Sequence, residues 1–370
     1  MNDIILYIML ALMALAGIDY CFGNKFGLGD KYKEAFNAMG TLATYMIGAL
    51  CAAPALAVPL TKIITPLYDL FGAEPAMFAG TILGNDTGAY PLAAVMANGN
   101  ADAGNFSGLI LGSMLGITVS FLIPYILTVA SPQNRPHIAK GIMIGIITIP
   151  LGCFTGGALA GYDFLFMLRN LIPAIIFSGI IASGLIFTPK TAIKIFLIFG
   201  KLVGIFLTLT LIAAAIEGTT GFVIIKGMDP ISKAFAIVGG IVIVLAGAFS
   251  LVYILNKILH KYLAKFALLL KVNEKSVEGL TAALANTIAM VSLIKYMDER
   301  GLILNSAFAV SAGFALGDHL GFTAGVNKEM ILSVVAGKLA GGISALILAL
   351  IILSKSKKEK RISAKQFQEE

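Results

Sequence analysis

Long apolar segments separated by short polar loops recur along the whole chain. Each apolar segment has about the 20 residues that a helix needs to cross the hydrocarbon core of a bilayer. Helices satisfy every backbone polar group within the spanning segment itself, so the pattern predicts an all-α polytopic membrane protein. We predict about nine transmembrane helices, at 4–22, 35–60, 105–130, 138–161, 170–187, 195–216, 234–256, 305–325 and 329–354.

Two further apolar segments, 75–97 and 276–297, are long enough to cross but are interrupted by polar residues. We call them the first and the second interrupted segment. The first holds three polar residues within a frame of glycine and proline: Gly84, Asn85, Asp86, Thr87, Gly88 and Pro91. A continuous helix disfavours glycine and proline in its interior. A carboxylate at membrane depth is costly unless it is paired or hydrated, so Asp86 is a functional-site hypothesis.

The composition agrees with a membrane protein. Of 370 residues, 58% are hydrophobic and 13% are charged, whereas soluble domains carry about 25% charged residues. The net charge of +7 comes from basic residues in loops and at the C-terminus, a distribution that does not indicate nucleic-acid binding. Cys21, Cys51 and Cys153 are scattered without metal-ligand spacing, and we predict neither a metal site nor a cofactor.

Basic residues also predict the orientation of the chain. The tail, 355–370, is basic and is placed in the cytoplasm by the positive-inside rule. If both interrupted segments enter and return on the same side, 20 of the 27 Lys and Arg residues lie inside and five lie outside. A full crossing by 276–297 would instead place the lysine-rich loop 257–275 outside. The charge distribution therefore predicts two re-entrant helical hairpins and an external N-terminus.

The single transporter domain, 1–354, contains a repeat with a spacing of about 200 residues. Repeat one is about 35–130 and repeat two about 234–325. The interrupted segments align, with Glu74, Thr81, Asp86 and Thr87 matching Glu274, Thr281, Asn286 and Thr287. An odd number of crossings separates the two copies, which predicts an inverted repeat. Many secondary transporters use this architecture to build a substrate site near the midplane of the bilayer.

The first interrupted segment supplies the main candidate site residues. Asp86 is interpreted as the counter-ion of a cationic substrate or of a coupling cation. The alternative is a structural carboxylate that caps a half-helix or pairs with a lysine. Asn85, Thr87 and Tyr90 are predicted to offer hydrogen bonds beside it.

Further candidates lie in the second repeat and in the last helix. Asn286 and Thr287 are neutral counterparts of the first copy, and a role as a local cap is an alternative for them. Asp318 and His319 are interpreted as a substrate-binding or proton-relay pair, with a structural pair as the alternative. Lys338 is a possible charge partner of Asp318 or Asp86.

An enzymatic function is not predicted. The chain has no phosphate-binding loop. The motifs of intramembrane aspartyl proteases occur only in the wrong order, for example Tyr162-Asp163 after Gly27-Leu28-Gly29-Asp30.

Several stretches resemble the EutH-type ethanolamine permeases of bacteria. They are 75–83 with Asp86, 107–114, 148–153, 307–312 and 317–322. The resemblance implies a multi-pass protein of the cytoplasmic membrane that imports ethanolamine for catabolism. At the level of the fold, the predicted hairpins are also similar to those of concentrative nucleoside transporters, an analogy that leaves a homo-oligomer open.

The functional hypothesis is import of ethanolamine through a midplane site formed by two broken hairpins. The alternative is an ion-coupled permease for another small polar solute, such as a nucleoside or an amino alcohol. A membrane receptor or scaffold is a third possibility, which the short tail and small loops disfavour. Coupling to H⁺ or Na⁺ is left open.

Overall fold

The structure is a computed structural model that describes residues 1–258 and 261–354 with their side chains, and only the helical backbone of 259–260 and 355–369. The predicted basic tail, 355–370, therefore lies outside the residues whose side chains are described. All regular structure in the described chain is helical. The helices are α1 (Asn2–Cys21), α2 (Leu28–Asp69), α3 (Met77–Ile82), α4 (Tyr90–Met96), α5 (Ala101–Val129), α6 (Arg135–Leu159), α7 (Phe164–Phe187), α8 (Pro189–Thr220), α9 (Ile231–His260), α10 (Leu263–Leu270), α11 (Glu274–Ala285), α12 (Thr287–Leu293), α13 (Glu299–Ala312), α14 (Asp318–Val326) and α15 (Ile331–Glu369).

Eight helices in the described residues are long and apolar enough to cross a membrane: α1, α2, α5, α6, α7, α8, α9 and α15. The predicted all-α polytopic membrane protein is confirmed. Many large apolar side chains on α1, α7 and α8 are exposed on the isolated chain, as expected of helices that face lipid. The predicted crossing 305–325 accounts for the difference from nine helices, because it is divided into α13 and α14.

The division of 305–325 comes from a short non-helical loop, 313–317. Phe314 in this loop has a positive φ of 61°, which ends the regular helix. The loop is not left without hydrogen bonds. The N–H groups of Phe314 and Leu316 donate to the carbonyl oxygens of Ala283 and Leu284, both at 2.8 Å. Backbone groups freed by the break are therefore satisfied by the end of α11, which makes such a loop tolerable inside the protein.

Both interrupted segments are broken where the polar residues predicted it. In the first, α3 ends at Ile82 and a wide turn over Asn85–Ala89 leads into α4. Gly88 in this turn has φ 121°, a value that glycine adopts without strain. In the second, Asn286 is extended between α11 and α12. Re-entry of the two segments and the inverted repeat stay predictions.

The helix or loop that follows each interrupted segment packs against it through a glycine. A methyl group at Gly116 in α5 would meet the carbonyl oxygen of Leu83, and one at Gly317 would meet that of Ala285. Within each predicted repeat, a polar side chain of the following helix also bonds to the start of the interrupted segment. The Ser107 hydroxyl donates to the Ala76 carbonyl at 2.5 Å, and the Asn305 amide donates to the Ser276 carbonyl at 2.8 Å.

Helix α5 lies at the centre of the molecule, because nearly all residues of its apolar stretch are buried. Next to it, α6 packs closely on α13 and α15. Small residues allow this approach, since Gly152 of α6 lies against Gly337 and Gly341 of α15. Close backbone contact through small residues is the usual way that helices associate within a membrane. This packing brings α15 against α5, α13 and α14 around one buried region.

Candidate functional site

Asn85 and Asp86 lie at the break in the first interrupted segment, where the chain leaves α3. The Asn85 side chain is fully buried, and neither its amide oxygen nor its amide nitrogen has a hydrogen-bond partner in the protein. One carboxylate oxygen of Asp86, Oδ1, is also buried without a partner. Leaving a buried polar group unpaired costs about 1–3 kcal/mol, and more for a charged group. Such groups therefore point to a ligand.

Lys338 of α15 brings a cation to the same region. Its side chain is fully buried, and its ammonium donates a hydrogen bond to the backbone carbonyl of Ser113 in α5. Lys338 is near enough to the Asp86 carboxylate to attract it electrostatically. In the described part of the chain, however, Lys338 makes no direct ion pair with a carboxylate. The predicted charge partner of Asp86 thus lies nearby without contacting it.

Asp318 and His319 begin α14, immediately after the loop 313–317. The Asp318 carboxyl group is near enough to Asp86 for the two negative charges to repel each other. The His319 side chain is fully buried, and neither ring nitrogen makes a regular hydrogen bond. The two neighbouring side chains therefore do not bond each other, as predicted from their positions on a helix. The Ser113 carbonyl that accepts from Lys338 also lies beside the His319 ring.

We refer to Asp86, Asp318, His319 and Lys338 as the charged centre. They come from three different parts of the chain, namely the first interrupted segment, the start of α14 and α15. Two carboxylates and one ammonium leave one excess negative charge when all three are ionised. A buried excess charge is unfavourable unless a counter-ion is present. One additional small cation would balance this charge.

Thr87 and Tyr90 lie to the side of this centre. The Thr87 hydroxyl donates to the Gly84 carbonyl at 3.3 Å, within its own turn. Thr87 also lines two lateral cavities that it shares with residues of α8, among them Leu207. The Tyr90 ring meets the edge of Phe322 at a centroid distance of 6.1 Å. Of the polar residues predicted in the first copy, Asn85 and Asp86 are the two with buried side-chain atoms that lack a hydrogen-bond partner.

The second interrupted segment presents a different arrangement. The Asn286 side-chain oxygen accepts from the Ile288 N–H at 2.8 Å, so Asn286 caps the first turn of α12. The Thr287 hydroxyl is buried and has no hydrogen-bond partner. Thr287 lies beside Gly313, at the start of the loop that leads to Asp318. Of these two predicted residues, Thr287 has the free hydroxyl, while Asn286 has a local structural contact.

Sequence reasoning missed two polar groups around the charged centre. One is the backbone carbonyl of Ser113, which no side-chain pattern reveals. The other is Ser311 of α13, whose buried hydroxyl has no partner and lies where Gly341 of α15 approaches. Ser311 is visible in the sequence as a polar residue in an apolar segment, but the pattern does not set it apart from Ser306 of the same helix. The described residues contain no cluster of His, Cys, Asp and Glu suited to a metal ion.

Comparison with known proteins identifies relatives over nearly the full length. The family model for "Ethanolamine utilisation protein, EutH" matches residues 1–352. A Listeria monocytogenes protein named "Probable ethanolamine permease EutH" is 47% identical over 360 residues, which cover 97% of this chain and 96% of the relative. The Salmonella typhimurium protein of the same name is 40% identical over 391 residues, covering 96% of each chain.

A Bacillus subtilis protein, "Uncharacterized protein YxeR", is 41% identical over 365 residues and covers 98% of both chains. No solved structure matches the chain. The resemblance inferred from the sequence motifs is confirmed by these matches. They also confirm the expectation of a non-enzymatic protein, since the relatives with an assigned role are named as permeases. The chain belongs to the EutH family of ethanolamine utilisation proteins.

Proposed function

We propose that this protein carries ethanolamine across the membrane and binds the substrate's ammonium group at Asp86. The relatives named as probable ethanolamine permeases support the choice of substrate. The observation that carries the site is the unpaired, buried Oδ1 of Asp86 beside the unpaired, buried amide of Asn85. A carboxylate next to an amide suits a molecule with an ammonium at one end and a hydroxyl at the other.

The excess negative charge of the charged centre supports a cationic substrate. Lys338 offsets one of the two carboxylates, and the ammonium of ethanolamine offsets the other. The substrate hydroxyl would then form a hydrogen bond with the Asn85 amide or, in the second copy, with the Thr287 hydroxyl. In this proposal Tyr90 and Asn286 stay outside direct contact, the first against Phe322 and the second as a cap.

The proposal places the site near the midplane, between two re-entrant hairpins of an inverted repeat. We place the protein in the cytoplasmic membrane of a bacterium, where it imports the substrate. The distribution of basic residues places its C-terminus inside the cell. Transport requires the site to open to each side in turn. The break in the first interrupted segment is flanked by Gly84 and Gly88, and the break in the second lies at the extended residue Asn286. Both are suitable hinges for this motion. Ion coupling is compatible with the second carboxylate, Asp318, but is not part of the proposal.

Uptake of labelled ethanolamine into vesicles that contain the purified protein tests this function. The assay is run at mildly acidic pH, because neutral ethanolamine crosses a bilayer unaided. We expect saturable uptake by the wild type and a loss of at least about 30-fold in Asp86→Asn, since truncating one partner of a buried charge pair costs about 2–5 kcal/mol. Asp102→Asn removes an exposed carboxylate at the start of α5 and is the matched control.

The outcomes separate the alternatives. Absence of saturable flux by the wild type would remove the transport function and favour a receptor or scaffold. Near-wild-type uptake in Asp86→Asn would remove the site assignment and leave the transport function. Competition by unlabelled nucleosides or other amino alcohols, at concentrations where ethanolamine itself competes, would indicate a different substrate.

A further inference from the structure

A cavity of about 290 Å³ lies between the two predicted repeats, and one of its lining residues, Tyr90, directly follows the turn that contains Asp86. Its walls come from α2, α4, the start of α9 and the end of α14. The walls are mostly apolar, and the polar side chains that line the cavity are Tyr90, Asp229 and Lys233. Ala94 and Gly325 line it and are exposed, so the cavity opens to the surface.

The floor of this cavity is Tyr90, which packs against Phe322. Their rings meet edge to face, with centroids 6.1 Å apart and an interplanar angle of 82°. Phe322 follows Asp318 by about one helical turn within α14, and Tyr90 begins α4 directly after the turn that contains Asp86. Because α14 packs against this turn, the aromatic pair lies close to the segments that carry the two carboxylates. Phe322 is fully buried and Tyr90 is half-buried, so the pair extends from the open cavity into the buried interior.

The rim of the cavity carries an ion pair. The Lys233 ammonium contacts the Asp229 carboxylate at 2.7 Å, and both side chains are partly exposed. The backbone N–H of Asp229 donates to the Cys51 carbonyl of α2 at 2.8 Å, which fixes the loop before α9 on the cavity wall. The distribution of basic residues places this loop on the external side of the membrane.

We propose that this cavity is the external vestibule of the permease, that it holds an ammonium alcohol before transport, and that Tyr90 and Phe322 form the gate to the charged centre. The inference rests on the proposed function and adds a second binding position and a route to it. The ammonium lies over the Tyr90 ring, because aromatic faces attract cations in partly desolvated sites. Rotation of Tyr90 away from Phe322 then opens the way to Asp86.

Cysteine labelling tests the vestibule. Ala94→Cys places a thiol in the cavity at an exposed position, and Ala158→Cys places one at an exposed position near the end of α6, on the same predicted side and away from the cavity. Intact cells are treated with a membrane-impermeant, positively charged thiol reagent and assayed for ethanolamine uptake. We expect uptake to fall at least about fivefold in Ala94→Cys and not in Ala158→Cys or the wild type. Ethanolamine added before the reagent should slow the inactivation.

Labelling of Ala94→Cys, shown by mass spectrometry, without inhibition of uptake or protection by ethanolamine would overturn the vestibule. So would inhibition of Ala158→Cys to the same degree. The proposed function has a separate criterion, because uptake by the untreated wild type reports on transport whatever the labelling result.

Substitution of the gate residue gives a second measurement that does not depend on labelling. Tyr90→Phe keeps the aromatic face and is expected to keep the KM for ethanolamine within about twofold, whereas Tyr90→Leu should raise it about threefold to tenfold. Equal KM values in the two variants, with both proteins present at wild-type levels in the membrane, would contradict the role of the aromatic face.

Discussion

The two interrupted segments share a design but differ in chemistry. Each is broken near its middle by polar residues, and each break packs against a glycine of the helix or loop that follows. In the second segment, the Asn286 oxygen is used within the chain as a cap, and the buried group without a partner is the neutral Thr287 hydroxyl. In the first, the Asn85 amide and one Asp86 oxygen have no partner in the protein.

The break in a helix and the unpaired polar groups beside it are two separate features of these segments. Hydrogen bonds within the protein can stabilise a break in a helix. The cap from Asn286 and the backbone hydrogen bonds donated by Phe314 and Leu316 are examples. The unpaired groups of the first segment are therefore not a necessary consequence of the break. We interpret them as groups that the chain reserves for a ligand, and the asymmetry as the reason that the site takes one cation.

The largest effect is expected from filling the glycine contacts that the two breaks share. Gly116→Ala and Gly317→Ala should each destabilise the protein by about 3 kcal/mol or more, because the new methyl group would meet a backbone carbonyl oxygen. Thermal unfolding in detergent measures the loss. Gly239→Ala is the control, since its methyl group would have nothing within 4 Å. A loss in one copy alone would show that the two breaks are not packed equivalently.

A smaller loss is expected from removing the internal cation. Lys338→Met leaves Asp86 and Asp318 without a compensating charge, and we expect a destabilisation of about 1–3 kcal/mol, less than for a directly bonded pair. The double variant Lys338→Met with Asp318→Asn should recover part of this stability, because one of the two repelling carboxylates is then neutral. Unfolding temperatures of the three proteins measure the effect. A double variant less stable than Lys338→Met would contradict the charge balance that we assign.

The smallest effect concerns the cap in the second segment. Asn286→Ala removes the acceptor of the Ile288 N–H and should cost about 1 kcal/mol. Asn286→Ser keeps a neutral acceptor at the cap and should lose less. The unfolding temperatures of both variants measure the loss of stability, and ethanolamine uptake is measured on the same proteins. Uptake that falls as far in Asn286→Ala as in Asp86→Asn would mean that the two segments contribute equally to the site.

Much of the fold was predictable because apolar length and polar interruptions are direct consequences of the membrane. The spanning helices follow from hydrophobicity. The break at Asp86 follows from polar residues with glycine and proline beside them, and the break at Asn286 follows from polar residues alone. The loop 313–317 was not predicted. Its sequence, Gly-Phe-Ala-Leu-Gly, is apolar, and the break becomes stable only through hydrogen bonds to Ala283 and Leu284. These partners are distant in sequence, so local pattern could not reveal them.

The candidate site was predictable in its residue types and not in its geometry. Asp86, Asp318 and Lys338 were found as charges within apolar segments, and the structure brings them into one buried region. Which of them touch depends on the packing of α5, α14 and α15, as the bond from Lys338 to the Ser113 carbonyl illustrates. Likewise, the position of Tyr90 at the floor of a cavity depends on its contact with Phe322.

Equilibrium binding of labelled ethanolamine to the purified protein tests the asymmetry of the two segments most directly. The wild type, Asp86→Asn and Asn286→Ala are compared in detergent at one mildly acidic pH, with folding checked for each. We predict that Asp86→Asn weakens binding by at least about 30-fold, because a buried charge partner is lost, and that Asn286→Ala changes it by less than about threefold. Equal losses in the two variants, or the greater loss in Asn286→Ala, would contradict the account.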